Sequence, residues 1–327
     1  MNIKSVATLL LMSWIVVAGA SCGGGKPADT TGETSTTQET TTQKKGSEDA
    51  SATDSAAQAG AKLVWEVSEG LAKPECAYYD ADTNAIYVSN VNGFPTDKDG
   101  NGFISKISTD GTVIALRWAL GLDAPKGLRA HGKTLWVADI DQIVAIDLDS
   151  GDVVKRVPVE GAEFLNDLAT AEDGTVYAAD TLGNKIFQYK DGAVSEFGAG
   201  VELESPNGLL VDGDRLIVAA WGLEPNENFQ TKAPGNLYSL DRTSGKKTAI
   251  TKKPLGNLDG VELDGQGGYV LTDFLAGKVL AVSADGAVAE LHGTDAGAAD
   301  HAYLIEKKLV VLPHMLSSKL FGIEVKQ

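Results

Sequence analysis

One short pattern recurs six times and restricts the fold more than any other feature of this chain. A turn-like pair leads into an apolar strand, a second strand ends in Asp, Asn or a small residue, and a third strand follows. The pattern is anchored in "KPECAYY" at Glu75, "APKGLRA" at Lys126, "FLNDLAT" at Asn166, "SPNGLLV" at Asn207, "NLDGVEL" at Asp259 and "AADHAYL" at Asp300. The anchors fall about forty residues apart, with about ten extra residues in the first and fourth repeats. Second strands read "AIYVSN", "TLWVAD", "TVYAAD", "RLIVAA", "GYVLTD" and "KLVVLP". Third and fourth strands are joined by Gly-containing turns such as "DGT" and "SGD", as tight hairpins require. Four short strands per forty residues predict an all-β, six-bladed β-propeller rather than an open sandwich. The sixth repeat stops after three strands. The segment "KLVWEVSE" (62–69) precedes the first anchor without a hairpin mate, so it is expected to complete blade six and close the ring.

The first strand of a propeller blade lines the central channel, so the six anchors should converge at its mouth. Glu75, Asn166, Asn207 and Asp259 then offer four oxygen donors, which suit a hard divalent cation. Calcium is the leading choice, with magnesium, manganese or zinc as alternatives. Turn chemistry before each strand also accounts for Asn207 and Asp259, but poorly for Glu75.

"PE" at Glu75, "FLNDLATAEDGTVYAADT", "SPNGLLVDGDRLIVAA" and "LDGVELDGQGGYVLTDF" resemble the motifs of the senescence marker protein, gluconolactonase and luciferin-regenerating-enzyme family. The resemblance runs from Leu71 to Leu312. It implies a six-bladed propeller with one divalent cation at the channel mouth, held by Glu75, Asn166, Asn207 and Asp259. It also implies that Asp259 serves as base. The chain departs from the pattern at Phe164, where gluconolactonases carry an Arg that binds sugar hydroxyls, which weakens the case for an aldonolactone substrate. Lys126 could supply positive charge instead, or pair with Glu75 or Asp300, and the pairing is the simpler expectation.

The chemistry expected of such a site is opening of a lactone or ester, with the cation polarising the carbonyl and a nearby base accepting a proton. Asp259 and Asp300 are the candidate bases, and His301 and His314 are further options. Within residues 62–327 no G-x-S-x-G elbow and no H-E-x-x-H occurs, so serine hydrolase and zinc protease readings have no support. The rival class is a non-catalytic propeller that binds a small ligand or acts as a scaffold, because the fold alone does not decide function.

The extra residues of repeats one and four lie between second and third strands, in blades that face each other. Both loops are expected to stand over the mouth, with Phe94, Trp221 and Phe229 as apolar walls. The first contains "DKDGNGFIS". Asp97, Asp99 and Asn101 match the opening of a helix–loop–helix calcium site. Its twelfth position is Ser108 rather than Glu, and its flanks read as strands, so a calcium sensor is excluded. A stiffening ion or a plain Asp/Asn/Gly turn remain the two readings.

The start of the chain belongs to none of this. Residues 1–21 read as a secretory leader, and "GAS" before Cys22 resembles the bacterial lipoprotein cleavage box, which implies a lipidated Cys22. Residues 22–61 are rich in Thr, Ser, Gly, Glu and Gln, and read as a disordered tether with a reach of roughly 35 Å. The expectation is export across the inner membrane, lipid anchorage, and a domain over 62–327 facing the periplasm or the cell exterior. With Cys22 lipidated, Cys76 has no disulfide partner and reads as a small buried residue. The net charge of −17 excludes nucleic acid as partner. A small molecule is the expected partner, with a monomeric domain and membrane contact through the anchor only.

Overall fold

The computed structural model describes residues 60–226 and 228–326. The expected leader, the expected lipidated Cys22 and the expected tether up to residue 59 lie outside the described residues. Six antiparallel four-stranded sheets surround one channel. In chain order the strands are β1 (Lys62–Val67); β2 (Pro74–Asp80), β3 (Ala85–Asn90), β4 (Gly102–Ser108) and β5 (Val113–Leu122) in blade one; and β6 (Pro125–His131), β7 (Thr134–Asp139), β8 (Gln142–Asp147) and β9 (Val153–Pro158) in blade two. Blade three holds β10 (Leu165–Thr170), β11 (Val176–Asp180), β12 (Lys185–Lys190) and β13 (Ala193–Ala199). Blade four holds β14 (Pro206–Asp212), β15 (Arg215–Ala220), β18 (Leu237–Asp241) and β19 (Lys247–Ala249). Its long connection carries a small ribbon, β16 (Gly222–Leu223) with β17 (Ala233–Pro234), that the repeat did not reveal. Blade five holds β20 (Leu258–Leu263), β21 (Tyr269–Asp273), β22 (Lys278–Val282) and β23 (Val288–Gly293), and blade six β24 (Ala302–Leu304), β25 (Leu309–His314) and β26 (Lys319–Glu324).

The expected closure is present. β1 pairs with β26 from Lys62↔Glu324 to Val67↔Leu320 and forms the outer strand of blade six. The innermost strands β2, β6, β10, β14, β20 and β24 touch in sequence and return to β2.

Each second strand is buried on both faces, which explains its nearly continuous apolar sequence. Alternate residues serve two different blade interfaces. Ala85 and Tyr87 pack against blade two with Leu128 and Val137, whereas Ile86 and Val88 pack against blade six with Leu304 and Val311. Among the described residues an apolar cluster fills each of the six interfaces between neighbouring blades. Among the described residues no helix is long and apolar enough to cross a membrane.

Strand β1 fastens the two ends of the propeller largely through Val67, which is buried, and Trp65, which packs over Gly322 and Gly111. Replacing a packed Trp by Ala costs about 3 kcal/mol at the lower end of the usual range, suited to a half-buried ring. Trp65→Ala is therefore expected to lower the melting temperature by about 6–12 °C in a domain of this size, measured by thermal unfolding. A change of less than a degree would show that β1 contributes little to closure.

Candidate metal centre

The innermost strand of each of the first five blades breaks register at its anchor. The irregularities fall between Pro74 and Ala77, Pro125 and Leu128, Leu165 and Leu168, Pro206 and Gly208, and Leu258 and Val261. A bulge bends the strand and re-aims side chains. Backbone groups freed by it find side-chain partners: Cys76 N donates to Ser89 Oγ at 2.9 Å and Gly260 N to Thr272 Oγ1 at 2.8 Å. In blades one, two, three and five the Asp or Asn ending the second strand holds the segment entering the anchor. Asp139 accepts from the amides of Asp123 and Ala124, Asp180 from Glu163 and Phe164, Asp273 from Asn257, and Asn90 from Ala72. In blade six Asp300 lies ahead of β24 and bridges to Cys76, with its amide donating to Glu75 O at 3.0 Å.

Three of the four expected ligands form a chain. Asn166 Nδ2 donates to Asn207 Oδ1, and Asn207 Nδ2 donates to Asp259 Oδ1 at 2.9 Å and to Leu258 O at 3.1 Å. Thr181 Oγ1 also donates to Asn207 Oδ1, at 3.3 Å. The fourth, Glu75, is buried, and its Oε2 has no hydrogen-bond partner. Burial raises the Glu75 carboxyl well above its ordinary range, and the charges of Asp259 and Asp300 push it further, against Lys126. Asp259 is raised likewise, by burial first and then by Asp300 and Asp167. Two buried carboxylates that repel one another, one with an orphaned oxygen, beside two amides, fit an oxygen-preferring divalent cation. Among the described residues no cluster of three or more His, Cys, Asp or Glu side chains forms a metal site. The set here is a mixed Glu, Asp and Asn one.

Beneath the anchors lies a layer that the sequence reading missed. Arg129 of blade two reaches towards Glu262 of the opposite blade five, Nη2 to Oε1 at 3.3 Å, and Asp300 of blade six, Nη1 to Oδ2 at 3.5 Å. Nη2 lacks a well-formed hydrogen bond, so the first contact is an ion pair at loose geometry. Asp300 Oδ2 also accepts from the Cys76 thiol at 2.8 Å, and burial pushes that thiol well up. Cys76 is thus a buried neutral group. Asp167 accepts the Leu209 amide on Oδ2 at 2.7 Å, while its Oδ1 has no partner. Gly127 and Gly260 make room: a Cβ there would lie 2.1 Å from Asp167 Oδ1 and 2.3 Å from Asp300 Oδ1. His301 is fully buried with neither ring nitrogen bonded, and burial pulls it down to about 3, so it is neutral. His314 is tied to Ser317 and the carbonyl of Asp295. A signal for this layer existed. Arg129 and Glu262 sit at the same place, three residues after the anchor, in opposite blades.

Lys126 forms none of the close ion pairs present among the described residues, so of the expected pairing with Glu75 or Asp300 only a longer-range attraction to Glu75 is present. The bulge instead turns it so that Nζ donates to Ala124 O at 2.9 Å and lies 4.5 Å from the ring centroid of Phe164. Burial lowers it to about 8, opposed by Glu75 and Asp139. Phe164 meets Phe229 at 5.9 Å, Phe229 meets Trp221 at 6.2 Å, and Trp221 meets Phe274 at 5.8 Å. The blade-four loop thus reaches the metal-ligand side of the mouth, and Phe274 joins a wall read in part from sequence. The blade-one loop makes contacts to blade two. Lys98 pairs with Asp141 and the Gly100 amide donates to Asp123 Oδ1 at 3.0 Å, both in blade two, while the Phe94 ring faces Lys73 at 5.4 Å. Asp99 closes a local turn onto Asn101, at 2.6 Å from its Nδ2, and Asp97 is exposed. A surface cavity of about 500 Å³ between β9, β12 and β13 contains none of these residues.

The buried titratable groups set opposite pH limits on the cation-free protein. Burial and then Asp300 raise Asp167 to about 8 from 3.8, so the folded state keeps a proton that the unfolded chain releases, and its contribution is lost as pH rises towards 8. His301 works the other way: the unfolded chain takes up a proton below about 6.5 that the folded state refuses, so stability falls with acid. In chelator, these two slopes offset one another between about pH 4 and 6.5, so stability should be level there and fall as pH rises from about 6.5 to 8; Asp167→Asn should make that alkaline fall shallower, as read by thermal melts between acid and alkaline buffers. An unchanged alkaline slope in the variant would contradict this assignment.

No family model and no curated protein matches the sequence. Solved structures do match the fold. A gluconolactonase from Xanthomonas campestris is 14% identical with a TM-score of 0.59, over 81% of this chain and 89% of that one. A second structure, described as a putative gluconolactonase, is 17% identical with a TM-score of 0.59, over 83% and 93%. A catalytically inactive virginiamycin B lyase from Staphylococcus aureus, solved with quinupristin, is 14% identical with a TM-score of 0.54, over 81% and 100%. This chain is a six-bladed propeller of the kind shared by these gluconolactonases and streptogramin lyases.

Proposed function

We propose that the protein is a divalent-cation-dependent hydrolase of lactones or esters, acting at the channel mouth. The observation that carries this reading is the buried, unpartnered Glu75 Oε2 on the same ring of anchors as Asn166, Asn207 and Asp259. These four residues would hold the cation, with calcium the first choice, and it would supply Lewis acidity towards a carbonyl oxygen or a water. Asp259 suits the base better than Asp300, because Asp300 Oδ2 is engaged by Cys76 and Arg129 while its unpartnered Oδ1 lies beside Gly260, where a Cβ would come within 2.3 Å. Asp300 instead steadies Glu75 through their backbone contact. The likeness to a gluconolactonase supports the reaction class, and the likeness to a lyase makes elimination the second reading.

The test uses protein stripped with chelator and reloaded with calcium, magnesium, manganese or zinc. Turnover of a panel of lactones and esters should require the added cation. Glu75→Ala and Asp259→Ala should weaken cation binding and cut turnover by about 100-fold or more. Hydrolysis gives product masses that sum to the substrate plus one water, whereas elimination gives an unsaturated product with no water added. Cation binding without turnover of any member of the panel would leave a non-catalytic binding propeller as the better account.

A further inference from the structure

Lys126 takes blade two's place in the ring of anchors, where four other blades present carboxylate or amide oxygen towards the candidate cation. A lysine is almost never fully buried unless it is paired. Lys126 is 1% exposed, with the Ala124 carbonyl as its one hydrogen-bond acceptor and the face of Phe164 beside it. Two of its three N–H donors are uncommitted. Phe164, two residues before Asn166, begins a run of ring contacts through Phe229 and Trp221 to Phe274 on that side of Lys126. None of these rings can hydrogen-bond the hydroxyls of a sugar except through the Trp221 indole, which donates to Phe229 O at 2.9 Å and is taken.

We propose that Lys126 is the oxyanion-binding residue of this site, and that its substrates are esters or lactones bearing an aromatic or aliphatic group rather than polyhydroxylated rings. The proposal rests on the hydrolase reading above. As a water oxygen bonds to the carbonyl carbon, the carbonyl π pair moves onto oxygen and the water proton passes to Asp259. The ammonium hydrogen-bonds that oxygen and keeps its own proton. The pair then returns, the bond to the leaving oxygen breaks, and the proton on Asp259 passes to that oxygen. A preorganised charged donor of this kind contributes most where water is excluded, and the ring wall would exclude it while holding the substituent.

Phenylphosphonate, a ring joined to a tetrahedral oxyanion, is the probe, titrated calorimetrically into cation-loaded protein alongside turnover of phenyl acetate and D-glucono-δ-lactone. Lys126→Met should weaken phenylphosphonate at least about tenfold and lower kcat on phenyl acetate by about 10²–10³-fold. The same variant should bind the cation as tightly as the parent or more tightly, because a repelling charge is gone. Lys126→Arg should retain phosphonate binding. Phe164→Leu, which leaves the lysine in place, should raise KM for phenyl acetate with kcat largely kept. The parent should prefer phenyl acetate to the gluconolactone. Phenylphosphonate bound equally well by Lys126→Met would overturn the proposal. So would cation affinity, phosphonate affinity and melting temperature falling together, which is the mark of a structural lysine, or a preference for the sugar lactone. If the parent turns over neither ester nor lactone, the hydrolase reading fails, and the phosphonate titration still decides whether Lys126 binds an oxyanion.

Discussion

The irregularity at the start of each innermost strand is the constraint from which the rest of the site follows. A regular strand sends successive side chains to opposite faces, so one residue of a neighbouring pair would be lost to a blade interface. The irregularity leaves two consecutive residues unpaired with the second strand in four blades, and Asn207 alone in blade four. The first of the pair is the anchor, and the second belongs to the layer beneath. The carboxylates and amide that end the second strands hold the incoming backbone by its N–H groups. The anchors are therefore set by backbone hydrogen bonding, and a change of anchor side chain leaves the ring standing.

The two layers carry more acid than base. Glu75, Asp167, Asp259, Asp300 and Glu262 face only Lys126 and Arg129. An orphaned buried polar group costs about 1–3 kcal/mol. Glu75, Asp167, Asp300, Arg129 and His301 each have at least one such atom. Together they amount to a sizeable part of the about 5–15 kcal/mol that a domain has in total. A molecule optimised for stability alone would fill the channel with apolar side chains, since buried ion pairs seldom outdo a hydrophobic replacement. Retaining them makes sense if the channel must attract a cation and hold its ligands still. Arg129 does the second task by tying blade two to blades five and six, and so to the strand segments that carry Asp259 and Glu75.

The sequence exposed the ring more readily than its interior. Blade number, closure by the first strand and the extra residues of blades one and four are properties of spacing, and spacing survives without knowledge of contacts. The anchors were legible for the same reason. What escaped was whatever depends on direction. Lys126 was expected to meet a carboxylate because both are anchors, yet the bulge turns its ammonium to Ala124 and Phe164. Asp300 looked like a free acid, and its engagement by Cys76 and Arg129 comes from residues 224 and 171 positions away in the chain. The contacts of the blade-one loop, through Lys98 and Gly100 to acceptors in blade two, were likewise beyond a repeat-based argument.

Structures with only 14% and 17% identity share this propeller because the fold asks little of any one residue. It needs apolar second strands that can face two blades at once, a polar residue at their ends and a glycine-bearing turn every forty residues or so. Those demands leave the anchors and the rim almost free to vary, so chemistry can change there without disturbing the ring. A departure at a rim position then says more about substrate than the whole of the scaffold does. Phe164 is such a departure. It follows Asp180's clamp on the backbone and sits two residues before Asn166, so its position is fixed by the fold while its side chain is not. An apolar ring there, covered by Phe229 from the blade-four loop and covering Lys126 in turn, joins the rim, the long loop and the one basic anchor into a single unit.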